Sequence, residues 1–238
     1  VGSEMCIRDS GDGVLLIIKN YAGDVMNFEM AQEMAEMEDI KVNKVIVRDD
    51  IAVEDHDMRR GVAGTVFVHK YAGYLAEQGG DLDTIVKKTE QLLTDMRTIG
   101  MALTPPMVPS TGKYGFDLEE GDMEIGIGIH GERGLKREAV QPITTIVTEL
   151  VQALQQEIQS SEVIVMVNGM GGTPLSELNI TAKYVNEVLA DHDIAVKHWF
   201  VGDYMTSLDM QGFSLTLLES NDERLTALQA PTKSRYFG

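Results

Sequence analysis

The chain has 238 residues, 43% of them hydrophobic and 6% aromatic, and carries a formal net charge of −18. That length makes one large or two small domains with a sizeable core, while the charge works against nucleic acid and anionic membrane surfaces as partners, because both repel a polyanion. A single cysteine, Cys6, excludes a disulfide framework and a cysteine-based metal site, which leaves the cytoplasm as the default compartment, and no apolar run reaches the roughly 20 residues a membrane helix needs.

Residues 1–10 (VGSEMCIRDS) read as a foreign leader, too short and too charged for a signal peptide. Gly11-Asp12-Gly13 then runs straight into the apolar stretch 14–19, the pattern of a strand covered on both faces. So abrupt a start reads as the remainder of a longer domain. Asn20 to Asp24 is a turn by its Asn, Gly and Asp. A helix is predicted over 26–38, with Met26, Met30, Met34 and Met37 at helical spacing and therefore directed at a core. A second strand, 44–48, is closed by Asp49 and Asp50. Helices are expected over 62–78 and 82–101, separated by Gly79-Gly80.

The Pro-, Gly- and Ser-containing stretch from Thr104 to Gly115 is the best candidate for a domain boundary. Beyond it, MEIGIGIH (123–130) alternates and reads as a strand ending at His130. A helix follows Pro142 to about residue 158, then a buried strand at 163–167 and the loop NGMGGT (168–173). Pro174 opens a helix to about residue 190. Strands at 195–201 and 212–218 and a short helix at 222–228 complete the chain. Strand–helix alternation predicts an α/β fold. The expected organisation is two α/β domains with mixed sheets: an incomplete first one over 11–103 and a second over 104–238.

Three side chains stand where chemistry collects. His130 closes a strand between glycines, and in open α/β sheets ligands gather outside the strands' C-terminal ends; the alternative is a satisfied histidine capping a turn. Asp24 closes the turn after the first strand, as a general base or as a helix N-cap. Lys19 ends that strand, either snorkelling to solvent or neutralising a ligand oxygen. The NGMGGTP loop is neither a P-loop nor a GxGxxG turn and reads first as a tight strand–helix connection. Asp49, Asp50, Glu54 and Asp55 near His56 read as a solvated acidic loop rather than a metal site.

Five segments in this order, GVLLIIKNYAGD (13–24), RRGVAGTV (59–66), MEIGIGIHGERG (123–134), NGMGGTPLSEL (168–178) and DYMTSLDMQGFSLTLL (203–218), resemble the substrate-binding subunit of dihydroxyacetone kinases. The resemblance covers residues 11–238. It implies that His130 holds the ketone as a hemiaminal, which selects dihydroxyacetone over glycerol, since glycerol has no carbonyl to accept an imidazole nitrogen. It implies that Asp24 takes the proton from the hydroxyl that attacks phosphorus, and that Lys19 hydrogen-bonds the substrate. It also implies that this chain binds no cofactor or metal itself. ADP or ATP with magnesium would sit on a separate nucleotide-binding kinase subunit, recharged by a phosphocarrier of the phosphotransferase system. A homodimer is implied as well.

Two departures stand out. The family's Gly-rich GGGSGHEP-type segment, which also contacts substrate, has no match here, so the chain as written is expected to lack part of its pocket, to be poorly stable and to be inactive by itself. Glu132-Arg133-Gly134 replaces the commoner Glu-Pro-Gly. The alternative function is a non-enzymatic co-activator of the same fold that senses dihydroxyacetone. Sensing needs the covalent hold of His130 but not the base at Asp24.

Overall fold

The computed structural model describes residues 13–130, 132 and 134–234. The leader 1–10 and the altered position Arg133 therefore lie outside the described residues.

β1 (Val14–Lys19) and β2 (Val42–Val47) pair in parallel from Val14↔Val42 to Lys19↔Val47. Between them runs α1 (Ala22–Glu36). α2 (Thr65–Glu77) and α3 (Leu82–Thr94) follow. The chain then enters a six-stranded sheet of order β7-β6-β3-β10-β8-β9. Its strands are β3 (Met96–Ala102), β6 (Asp122–Ile125), β7 (Lys136–Ala139), β8 (Glu162–Gly169), β9 (Ala195–Gly202) and β10 (Gly212–Glu219). Only β8 and β9 run parallel; the other pairings are antiparallel. A small hairpin of β4 (Met107–Val108) and β5 (Lys113–Tyr114) stands apart. The remaining helices are α4 (Ile143–Gln155), α5 (Leu175–Asp191) and α6 (Asp222–Gln229). The expected mixed α/β class is what the chain forms.

β8 shows why the strands read as continuous apolar runs. Side chains alternate across a strand, and both faces of β8 are covered. Val163, Val165 and Val167 pack with Ile146, Val147 and Leu150 of α4 and with Leu178, Val185 and Leu189 of α5. Ile164 and Met166 pack on the opposite side with Phe67 and Leu75 of α2, Leu92 of α3 and Leu228 of α6. That second cluster also takes in Val45 and Val47 of β2, so the small sheet shares a core with the large one.

The structure corrects three expectations. The helix predicted over 82–101 ends at Thr94, and β3 takes its place from Met96 onward. The buried stripe Leu82, Ile85, Thr89 and Leu92 stops at Leu92, and pairing with β10 over Gly212↔Ala102 to Leu218↔Met96 overrides helix propensity. The strand predicted to reach His130 ends at Ile125, because Gly126 turns the chain with φ +79°, a region favouring glycine. The methionines of α1 and of its C-cap are not core: Met26, Met30, Met34 and the C-cap Met37 are 62%, 57%, 63% and 82% exposed. No residue of α1 is buried; its apolar face is open among the described residues.

Candidate functional site

The site forms where the turn after β1 meets the turn after β6. Asn20 fixes the first turn: its backbone N–H extends the ladder to Val47 O, and its Nδ2 donates to Asp57 O at 3.0 Å and Arg59 O at 2.7 Å. Gly61 allows that loop to lie against the strand ends, since a Cβ there would stand 2.8 Å from both Lys19 Cα and Val47 O. Tyr21 is the N-cap residue of α1. Its ring meets the His130 imidazole edge-on, with centroids 4.7 Å apart, and Lys19 Nζ lies 5.6 Å from the same ring. Tyr21 thus brings Lys19 and His130 to one place. Asp24 follows in the first turn of α1, half-buried, where a carboxylate gains from the helix dipole. The capping role open to Asp24 falls to Tyr21, which makes no side-chain cap bond.

The His130 side chain is 55% exposed. Its backbone N–H donates to Glu132 Oε2 at 3.1 Å, and its Nδ1 lies 3.1 Å from Glu132 Oε1. One carboxylate therefore grips both the main chain and the ring. Nε2 has no partner among the described residues.

A buried charge network lies beneath. Asp49 accepts from the N–H groups of Val62 and Gly64, each at 2.8 Å. Asp50 accepts from Ala52 N at 3.0 Å and from Arg60 Nε at 2.7 Å, while Arg60 Nη2 donates to Gly126 O at 2.7 Å. Both aspartates are buried, not part of a solvated acidic loop. Such residues survive inside a fold only with donors around them, and Arg60, Val62 and Gly64 of the segment 59–66 supply most of these. Burial raises both carboxyls, that of Asp50 to about 6, against the pull of Arg60. The hydroxyl of Tyr21 is buried with no hydrogen-bond partner among the described residues. Burial first, and the nearby Glu132 second, hold it above the ordinary phenol range.

The NGMGGTP loop serves the fold. Asn168 Oδ1 accepts from the N–H groups of Tyr204 and Met205 at 2.8 Å, its Nδ2 donates to Met205 O and Ser214 Oγ, and Gly172 N donates to Met210 O. Among the described residues no three of His, Cys, Asp and Glu gather as they would around a metal ion. Sequence reasoning singled out His130, Lys19 and Asp24 but missed Tyr21, Glu132 and Arg60. Glu132 and Arg60 carried a signal, since each flanks a glycine within a quoted segment.

A model of the Dak1 domain matches residues 3–236, nearly the whole chain. The chain belongs to the Dak1 domain family. This Dak1 chain is 48% identical over 222 residues to the PTS-dependent dihydroxyacetone kinase 1, dihydroxyacetone-binding subunit DhaK of Listeria innocua, covering 91% of this chain and 68% of the relative. Among solved structures, the dihydroxyacetone kinase operon co-activator Dha-DhaQ superposes with a TM-score of 0.91 at 38% identity, over 96% of this chain and 73% of that one. The dihydroxyacetone kinase of C. freundii in complex with AMP-PNP and Mg2+ gives 0.85 at 33% identity, over 92% of this Dak1 chain and 41% of that one.

Proposed function

We propose that this Dak1 chain is the substrate-binding subunit of a dihydroxyacetone kinase, and that it holds the ketone covalently on His130. The observation that carries the reading is an exposed imidazole whose Nδ1 is occupied by Glu132 and whose Nε2 has no partner among the described residues. In the proposed step the Nε2 lone pair bonds to the carbonyl carbon. The C=O π pair moves onto oxygen, which takes up a proton, and the ring sheds one, leaving a neutral hemiaminal. Glycerol and other polyols without a carbonyl are refused because they have no atom for Nε2 to attack.

Once the triose is fixed, one terminal hydroxyl is the nucleophile toward phosphorus. Asp24 is the proposed base for that hydroxyl, and Lys19 the proposed hydrogen-bond donor to substrate oxygen. Phosphoryl transfer needs little from the protein beyond alignment and charge stabilisation, so a pinned acceptor supplies much of the rate. The phosphoryl group comes in this reading from a nucleotide with magnesium on a partner subunit, and that subunit is recharged by a phosphocarrier of the phosphotransferase system. Support for this form is the identity to the PTS-dependent Listeria subunit. A homodimer in the cytoplasm completes the proposal.

The superposition on the co-activator favours a second reading, in which the chain captures the triose and signals. A coupled assay with the nucleotide-binding subunit and magnesium nucleotide separates the two. The kinase reading expects triose phosphate from this chain joined behind the first third of the Listeria relative, which supplies the Gly-rich segment that has no match here. It expects a loss of roughly 100-fold or more in Asp24→Asn with capture retained. Capture without turnover under every partner condition would leave the sensing reading.

A further inference from the structure

We infer that Glu132 is a positioning residue for His130: its carboxylate fixes the imidazole as the Nδ1–H tautomer and so leaves the Nε2 lone pair free for the carbonyl. The inference rests on the proposed capture of a ketone by His130.

The tautomer follows from donor counting. The backbone N–H of His130 is only a donor, and it points at Glu132 Oε2. An ionised carboxylate is only an acceptor, so Oε1 of the same group requires a proton on the ring nitrogen facing it, which is Nδ1. A neutral imidazole carries one N–H, and Nε2 is then the unprotonated nitrogen. The carboxylate also faces the positive charge that builds on the ring as Nε2 bonds to carbon, and it offers a hydrogen-bond path for the Nδ1 proton that must leave when the adduct becomes neutral.

The surrounding structure holds Glu132 in this posture. A Cβ at Gly128 would collide with Glu132 Oε2 and would lie 2.9 Å from Arg60 Nη1. The absent side chain at Gly128 is therefore the space the carboxylate occupies, with the buried Arg60 guanidinium on its far side. Gly128 N also reaches back to Glu132 O at 3.4 Å, closing a tight turn around the histidine. Arg60 is held in turn by Asp50.

The test uses two variants that reach the contact from different sides. Glu132→Gln keeps the size but leaves one oxygen for two donors, so the ring gains from turning to the Nε2–H form. Gly128→Ala expels the carboxylate without changing it. Imidazole tautomers are read by 15N NMR of histidine-labelled protein without substrate, and capture by the carbon resonance of dihydroxyacetone labelled at its carbonyl. Expected are an Nδ1–H ring in the native protein, a shift toward Nε2–H in both variants, and capture weaker by about 10–100-fold, the usual effect of removing a ligand-orienting partner. A folded Glu132→Gln that keeps the Nδ1–H ring and captures within about twofold of native overturns the inference. Lost stability with an unchanged tautomer also overturns it, since that marks a structural role. If the native ring is Nδ1–H but triose is taken neither by this chain nor by the same chain joined behind the first third of the Listeria relative, the capture reading fails while the tautomer assignment stands.

Discussion

Arg60 Nε meets Asp50 Oδ2 at 2.7 Å in a pair whose aspartate is 1% exposed, and the same guanidinium donates to Gly126 O in the turn that leads to His130. One buried arginine thereby joins the end of β2 to the histidine loop. Removing one partner of such a pair strands a charge in the interior, at a cost of about 3–5 kcal/mol. Arg60→Met is expected to fall in that range by urea denaturation and to weaken triose capture, since the loop loses its anchor. Adding Asp50→Asn should recover part of the stability. If the double variant is as unstable as the sum of the singles, the two residues do not act as a pair.

Acid and neutral pH should act on this protein through different carboxyls. Asp50 is raised from 3.8 to about 6 in the folded state. Its folded pKa exceeds the unfolded one, so its contribution is fully present below 3.8 and is lost as pH rises through about 6. Glu157 is the opposite case. Two Arg59 nitrogens at 2.6 Å and Arg97 Nε at 2.7 Å lower it from 4.5 to about 2. Its stabilisation is present above 4.5 and disappears as pH falls toward 2. Glu157→Gln should cost about 1–2 kcal/mol at neutral pH, after allowing for solvent screening, and flatten the acid limb of a stability–pH curve. Asp50→Asn should flatten the slope between 3.8 and about 6. Unchanged slopes in either variant would assign the titration elsewhere.

The Tyr21 ring and its hydroxyl should separate cleanly. The hydroxyl is buried without a partner among the described residues, while the ring packs edge-on against His130. Tyr21→Phe is expected to leave stability unchanged or raise it by up to about 1 kcal/mol, because an orphaned polar group costs free energy to bury. Tyr21→Ala removes the platform beneath Lys19 and His130 and should weaken capture with little effect on the large sheet. Thermal melting and substrate titration of both variants check this. A large loss of capture in Tyr21→Phe would instead show the hydroxyl itself reaching the substrate.

Much of the fold is legible because it is local. β1 and β8 announce themselves as apolar runs bounded by turns, and Pro174 marks the start of α5. β3 is hidden because Leu92, Leu93 and Met96 continue a helical spacing, and only the partner strand β10, more than 100 residues away, decides otherwise. The stripe Met26, Met30, Met34 and Met37 has core spacing yet lies exposed, because periodicity reports a face and not what covers it. His130, Lys19 and Asp24 were visible from their places at strand ends and turns. The Asp50–Arg60–Gly126 chain was not, since it spans 66 residues between Arg60 and Gly126. Glu132 is two residues from His130, but its role depends on the gap at Gly128, which spacing does not reveal.

The central claim is a bond between His130 and a carbonyl carbon. Carbon NMR of dihydroxyacetone labelled at its carbonyl reads it directly, on this chain and on the same chain joined behind the first third of the Listeria relative. The expected result is a new tetrahedral-carbon resonance with the native residue, none with His130→Ala, and no labelled-glycerol adduct in either. An adduct that persists in His130→Ala, or a carbonyl that stays free in both native proteins, would contradict the account.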